Sequence, residues 1–290
     1  MSAVDRSRDL RRRLATGESV LMPGVWDALS ARIVAAAGFS TAFVSGFAVS
    51  GTLLGKPDVG HLGQIEMADV ARRVCAAAPG LNAVVDADTG YGNAMNVMRT
   101  VELWEDAGAA GMFIEDQVWP KRCGHMAGKS VVETEEWLAK LRAACTHREH
   151  LHVTARTDAR AAIGLSEAIE RGRMARDMGV DAVFVEAPES VAELDAIADA
   201  LPDVVLVANM VEKGRTPLLT PTELAERGFR LIVSPLSLLL TVARAMQDAA
   251  ATLSSRGTMR DDLANLMPFD DFNAVVGLPE HLATEAEFGR

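Results

Sequence analysis

Short apolar segments rich in Val, Ile and Phe recur along the chain, and nearly all of them lack alternation with polar residues. They are VLM (20–22), TAFVS (41–45), NAVVDAD (82–88), GMFIE (111–115), LHVTAR (151–156), DAVFVE (181–186), VVLVAN (204–209) and RLIVS (230–234), eight in all. A strand with one wet face alternates, whereas a continuous apolar strand is covered on both faces, as in a parallel sheet flanked by helices. Helical patterns fill the gaps. DALSARIVAAAG follows the first run and stops at Gly38. After the later runs come stretches such as NVMRTVELWEDAGAAG, ETEEWLAKLRAACT and SEAIERGRMARDMGV, and SLLLTVARAMQDAAATLSSRG follows the eighth. Strand–helix alternation repeated in this way predicts an α/β fold, a (β/α)8 TIM-type barrel. An open doubly wound sheet is the alternative, but no GxGxxG or P-loop fingerprint follows an early strand. Past residue 256 the alternation stops. TMRDDLANLM, FDDFNAVVG and LPEHLATEAEF predict three short helices. No Pro/Gly/Ser linker sets them apart, so they read as a C-terminal helical extension, 257–290, of one barrel domain spanning 1–290.

Charge narrows the function classes. The chain has 29 Lys and Arg against 40 Asp and Glu, a net −11. Such a surface repels phosphate backbones, which argues against nucleic-acid binding, while a local pocket can still hold a small anionic substrate. The three cysteines, Cys75, Cys123 and Cys145, lack metal-finger spacing and suit a reducing cytoplasm. Cys75 and Cys145 lie in alanine-rich helical stretches, as buried spectators. The charged N-terminus is unlike a signal peptide. The apolar run LIVSPLSLLLTVARAM is interrupted by Pro235 and Arg244, so it predicts a buried strand passing into a buried helix rather than a membrane span.

A barrel carries its chemistry at the carboxyl ends of its strands. There the sequence places Ser45-Gly46, Asp86 and Asp88, Glu115-Asp116, Arg156 with Asp158, Glu186, Asn209 and Ser234-Pro235. Several carboxylates at one mouth repel one another unless a cation intervenes. An oxygen-only set without His or Cys favours a hard ion, Mg²⁺ or Mn²⁺, with Asp86, Asp88 and Glu115 as its ligands. The plainer reading of any one of these acids is a helix cap. Arg156 can grip a substrate carboxylate bidentately, or serve only in an ion pair with Asp158 or Glu186. Asn209 and Ser45-Gly46 offer neutral hydrogen bonds, or merely turns and caps.

One long loop stands out, EDQVWPKRCGHMAGK, residues 115–129. Residues 116–133 are long for a strand-to-helix loop, and Pro120, Gly124 and Gly128 keep them irregular, which suits a lid. Lys121, Arg122 and His125 surround Cys123 with cations, a setting for a nucleophile or a general acid.

The segments VSGFAVSGTLLGKPD, DADTGYGN, EDQVWPKRCGHMAGK, ARTDAR, VEA, ANMVEKGRTPLLT and SPLS resemble the isocitrate lyase/phosphoenolpyruvate mutase superfamily, from about Pro23 onward. Within it they are most similar to the petal death protein-like lyases of 2-alkylmalates and oxaloacetate. The resemblance implies a Mg²⁺-dependent barrel, assembled as a homotetramer built as a dimer of helix-swapped dimers. It implies metal ligation by Asp88 directly and by Asp86 and Glu115 through water. It places Cys123 as general acid, with Lys121 and His125 beside it. Ser45, Gly46, Phe47, Asp58, Gly124, Arg156, Glu186, Asn209 and Pro235 fall on substrate-binding positions. Two departures point away from a tricarboxylate substrate: Met126-Ala127-Gly128 replaces a more basic segment, and Phe47 stands where methylisocitrate lyases have glycine. Pro235 fits the lyases rather than the oxaloacetate hydrolases, where serine is expected. Carboxyphosphonoenolpyruvate mutase and 2-methylisocitrate lyase are the alternative activities.

Overall fold

The computed structural model describes residues 2–124 and 128–289. Eight parallel strands close into a barrel in sequence order, with β8 returning to β1. They are β1 (Val20–Val25), β2 (Thr41–Val44), β3 (Asn82–Asp86), β4 (Gly111–Glu115), β5 (His152–Thr157), β6 (Ala182–Val185), β7 (Val205–Asn209) and β8 (Phe229–Ser234). Each expected apolar run supplies one of them. Around them lie α2 (Ala28–Ala36), α4 (Gln64–Ala77), α5 (Ala94–Ala107), α6 (Thr134–His147), the single turn α7 (Ala159–Ala162), α8 (Leu165–Asp177), α9 (Val191–Ala200) and α10 (Pro221–Glu226).

Alternate strand residues divide the apolar material in two. One set, including Val85, Met112, Ile114 and Val183, packs outward against Trp104 of α5 and Trp137 of α6, both fully buried. The other fills the barrel with Met22, Val84, Phe113, Phe184 and Leu231. Near the carboxyl end, Phe43, Phe113 and Phe184 stack in series, with centroids 4.9 and 5.8 Å apart. Their rings form an apolar floor on which the mouth rests.

The opposite end is closed by a helix that the apolar pattern did not reveal, α1 (Ala3–Ala15). It inserts Leu10 and Leu14 into the interior. Its polar face satisfies strand-end groups: Ser7 Oγ donates to the Ala110 carbonyl at 2.8 Å, and Arg11 donates to Asp181 and to the carbonyls of His150 and Leu151.

Three expectations need correction. The third strand ends at Asp86 rather than Asp88, because Asp88 has a left-handed backbone with φ 44°. TMRDDLANLM forms only a single 3-10 turn, Leu263–Asn265, before α12 (Phe269–Val275) and α13 (Leu278–Glu287). The helix after β8, α11 (Ser237–Arg256), contains no buried residue, contrary to the buried helix expected. It runs past the barrel wall, so Leu240, Val242 and Met246 find no cover within their own chain. No helix among the described residues is long and apolar enough to cross a membrane.

Candidate active site

The acids gather where the chain makes conformations that only the mouth requires. After β3, Asp88 and Tyr91 both adopt positive φ without being glycine, a strain of about 1–3 kcal/mol each that surrounding structure must hold. Asp86 Oδ1 accepts from the Asp88 amide at 3.2 Å, and its Oδ2 from the Gly46 amide at 3.3 Å. A Cβ on Gly46 would lie 2.8 Å from that Oδ2, so the approach needs glycine. Gly46 opens a short helix, α3 (Gly46–Val49), which continues as a π-helical turn, Ser50–Leu54.

Asp88 and Glu115 are almost wholly buried. Lys121 reaches in from the loop after β4 and sets its Nζ 2.8 Å from Asp88 Oδ1 and 2.6 Å from Asp58 Oδ1. Its charge is thus engaged with the acid cluster as well as lying next but one to Cys123 in sequence. Burial pushes the Asp88 carboxyl up to about 7; Lys121 opposes that rise, and Asp86 and Asp58 reinforce it. Burial drives Glu115 well above the usual carboxylate range against the pull of Arg156. Glu115 Oε1 is buried with no hydrogen-bond donor among the described residues. An acid cluster with this much unmet negative charge and an orphaned carboxylate oxygen fits a hard divalent cation.

Beside the acids lies a cation. Arg156, paired in register with Glu115 across β4 and β5, places Nη1 3.3 Å from Glu115 Oε2, Nη2 3.4 Å from Glu186 Oε2 and Nε 3.0 Å from Asp158 Oδ2. Its guanidinium also stands over the Phe184 ring, 5.5 Å from the centroid. The ion pairs weighed against a substrate role are therefore formed, and Arg156 lines the cleft as well. Asn209 Nδ2 donates to both Glu186 oxygens at 3.3 and 3.4 Å. Ser45 caps α3 by accepting from the Ala48 amide at 3.3 Å, and it too lines the cleft. Phe47 and Pro235 form its apolar wall with Val211 and Leu236, which the sequence reading did not single out. Pro235 sits so close to β1 that a Cβ on Gly24 would fall 2.0 Å from its carbonyl oxygen.

The loop after β4 covers this cleft. Its base is zipped: Val118 donates to the Ser130 carbonyl at 2.9 Å, and Val132 donates to the Asp116 carbonyl at 2.8 Å. Gln117 braces the interior of the loop, bonding the Arg122 carbonyl at 2.8 Å and the Arg122 amide at 2.9 Å. Cys123 and Gly124 face the cleft. A Cβ on Gly124 would lie 2.6 Å from both Arg156 Nη2 and Glu186 Cδ, so only glycine brings the loop this near. His125 lies outside the described residues. Under the loop a cavity of about 50 Å³ remains. Lys129, which no local pattern marked out, sets its buried Nζ 2.6 Å from Asp158 Oδ1.

A (β/α)8 barrel with a carboxylate cluster, a half-buried arginine and a thiol-bearing loop at its carboxyl end marks an enzyme of small molecules. The chain belongs to the phosphoenolpyruvate phosphomutase family, whose model matches residues 10–254, and so to the lyases and mutases of the isocitrate lyase/phosphoenolpyruvate mutase superfamily. It is 46% identical over 285 residues to the petal death protein of Dianthus caryophyllus, covering 98% of this chain and 89% of that protein. It is 48% identical over 274 residues to a chloroplastic carboxyvinyl-carboxyphosphonate phosphorylmutase of Arabidopsis thaliana, covering 93% and 80% respectively. The crystal structure of a 2,3-dimethylmalate lyase superposes with TM-score 0.93 at 35% identity, over 98% of this chain and 95% of that one.

Proposed function

We propose that the protein cleaves the C2–C3 bond of a small 2-hydroxy dicarboxylate of the 2-alkylmalate kind, or of oxaloacetate, with Cys123 as general acid. The observation that carries this reading is the placement of Cys123 and Gly124 over a cleft that has an acid cluster on one side and Arg156 on the other. Asp86, Asp88 and Glu115 would hold Mg²⁺ or Mn²⁺, which when bound polarises the substrate's 2-oxygen and carboxylate. Arg156 and Asn209 orient the anion, helped by the Ser45-Gly46 turn. In an alkylmalate the 2-hydroxyl passes its proton to a carboxylate of the acid cluster, C2–C3 breaks, and C2 becomes the carbonyl of a 2-keto acid; that proton later returns to the Cys123 thiolate. The electron pair stays on C3, stabilised by its carboxylate, and takes a proton from Cys123 Sγ. Oxaloacetate would give oxalate and acetate with one water consumed. Closure of the loop excludes bulk water that would otherwise compete for the carbanion. Phe47 and Pro235 leave little room beside C2 and C3, which favours a short alkyl group.

The identity to a phosphorylmutase supports a second reading, rearrangement of a phosphorus–carbon bond in the same cleft. A panel of 2-alkylmalates, oxaloacetate, 2-methylisocitrate and phosphonate precursors separates the two. Keto-acid or oxalate release supports cleavage, and a new phosphorus NMR resonance without keto-acid release sinks it. The uncovered apolar residues of α11, α12 and α13 further support a tetramer in which these helices exchange between paired subunits in the cytoplasm. Light scattering at micromolar concentration should give four chains, and a monomeric mass refutes the assembly.

A further inference from the structure

Lys129 has no part in the chemistry described above, yet it is one of the most deeply buried cations in the molecule. Its side chain is 1% exposed and that of its partner Asp158 is 0% exposed. Nζ lies 2.6 Å from Asp158 Oδ1 and donates also to the Gly124 carbonyl. Asp158 is at the same time the main partner of Arg156: Oδ2 accepts from Nε at 3.0 Å, and Oδ1 from Nη2 at 3.1 Å. Oδ1 is therefore shared between the arginine of the cleft and the lysine of the loop. Asp158 itself is held in place from behind, because Asp116 accepts its amide at 2.8 Å and is anchored by the Thr157 hydroxyl and Arg171.

We propose that Lys129 is a positioning residue that couples the closed position of the loop to the readiness of Arg156 for a substrate carboxylate, a reading that rests on the loop acting as a lid over a small anion. Arg156 is surrounded by Glu115, Asp158 and Glu186. A guanidinium so surrounded has little field left for a fourth anion. With Lys129 in place, part of the Asp158 charge is matched by the ammonium, and the arginine can turn its attraction to the substrate. With the loop lifted, Lys129 leaves, and Asp158 holds Arg156 as an unshared bidentate partner. Opposite charges at such separations interact strongly when buried. Closure therefore raises anion affinity, and by linkage a bound anion favours closure to the same degree. The same ammonium grips the carbonyl of Gly124, next to Cys123, so the turn that carries the thiol is set by the contact that readies the arginine. A lysine suits this task, since a compact head with three donors serves two acceptors at once.

The test uses the full chain with Mg²⁺ and with oxalate as a dianionic probe. Cys123 alkylation by iodoacetamide is followed by peptide mass spectrometry, which separates it from Cys75 and Cys145. In the parent protein oxalate should slow labelling of Cys123. In Lys129→Met, labelling without oxalate should rise about 10-fold, and the oxalate concentration that protects should rise about 10- to 100-fold, the usual range of such couplings. Mg²⁺ affinity without oxalate should stay within about twofold, since Lys129 touches none of the metal-site acids, and Lys129→Arg should recover part of the protection. Lys129→Gln, which keeps a donor for the Gly124 carbonyl but no charge, should behave like Lys129→Met and supplies the answer if the methionine variant does not fold. Unchanged labelling and unchanged oxalate protection in Lys129→Met or Lys129→Gln overturn the proposal. The substrate panel is independent: if no substrate is cleaved but the linked losses appear, the coupling stands and the cleavage reading falls. If cleavage proceeds in Lys129→Met with the KM of the parent, the coupling falls.

Discussion

The two ends of the barrel are built from the same charged residue types and settle them in opposite ways. At the amino end the half-buried acids Asp181 and Asp9 are each met by several donors. Burial raises Asp181, but Arg11, His152, the Val153 amide and Arg148 outweigh it and hold the carboxyl at about 2. Asp9 is likewise held at about 2, where Arg13, Asn82 and Arg12 overcome burial. At the carboxyl end burial wins at two acids of the cluster: Asp88 rises to about 7 and Glu115 goes well above its ordinary value, while Asp158, held by Arg156 and Lys129, stays low. The first end meets these acids with its own cations as the chain folds, and the second is left short of positive charge at its cluster. A fold tolerates such a shortfall where a bound ion or substrate makes it good, which is the role proposed for this end.

Chelation should have the largest effect on this contrast. Removing divalent ions should take turnover to background, with return on Mg²⁺ or Mn²⁺, and Asp88→Ala should weaken metal affinity more than Glu115→Ala. Full turnover in metal-free buffer would show that the mouth is not short of charge after all. Next in size, Cys123→Ser should lower kcat by about 10²-fold or more while substrate and metal binding persist. Near-normal turnover in that variant removes the thiol from proton transfer.

Asp181→Asn tests the other end. It leaves Arg11 and Arg148 without a charge partner, and denaturant titration should show a loss of about 2–3 kcal/mol, below the range for a fully buried pair because the site is partly open. Turnover of the surviving folded protein should match the parent. Glu115→Gln should do the reverse, abolishing activity with no loss of stability in metal-free buffer. If both variants destabilise alike, the two ends do not differ as argued.

The smallest effect is a shape in pH. Asp88 has a folded value raised from 3.8 to about 7, so its contribution to stability is present below the unfolded value and fades as pH rises through neutrality. His152 at the amino end is lowered by burial from 6.5 to about 4, so its contribution is present above the unfolded value and fades as pH falls. Mg²⁺ held by the mouth acids would compete there with protons. The rise in Tm on adding Mg²⁺ should therefore grow from about pH 5 to about pH 7.5. A rise independent of pH would mean that the mouth acids are already ionised without the metal.

The strands and the mouth acids were legible because both obey local rules. A doubly buried strand is written in its own residues, and a barrel places strand-end acids at one mouth whatever their partners. The helix α1 was not legible, since it buries few side chains and is otherwise charged on every face. Nor was the left-handed turn at Asp88, which its neighbours impose on a residue that would not choose it. Lys129 stayed hidden because nothing in MAGKSVV tells a solvated lysine from one buried against Asp158, and that distinction arises only when the loop folds back on β5. The 3-10 turn at Leu263–Asn265 replaced a helix because few apolar residues there have anything to pack on.

Tyr91, whose strained backbone was noted at the mouth, is the only tyrosine in the chain. Its ring centroid lies 6.0 Å from that of buried Trp104 and 6.5 Å from that of Trp119, in the loop that covers the cleft. Excitation absorbed by a phenol at such separations passes to indole before it is emitted. Trp119 is 46% exposed, whereas Trp104 and Trp137 are fully buried. Its emission should therefore lie to the red of theirs and be more open to quenching by iodide or acrylamide. The protein carries a label-free optical gauge of its loop, readable in stopped flow without a reporter group and without any turnover.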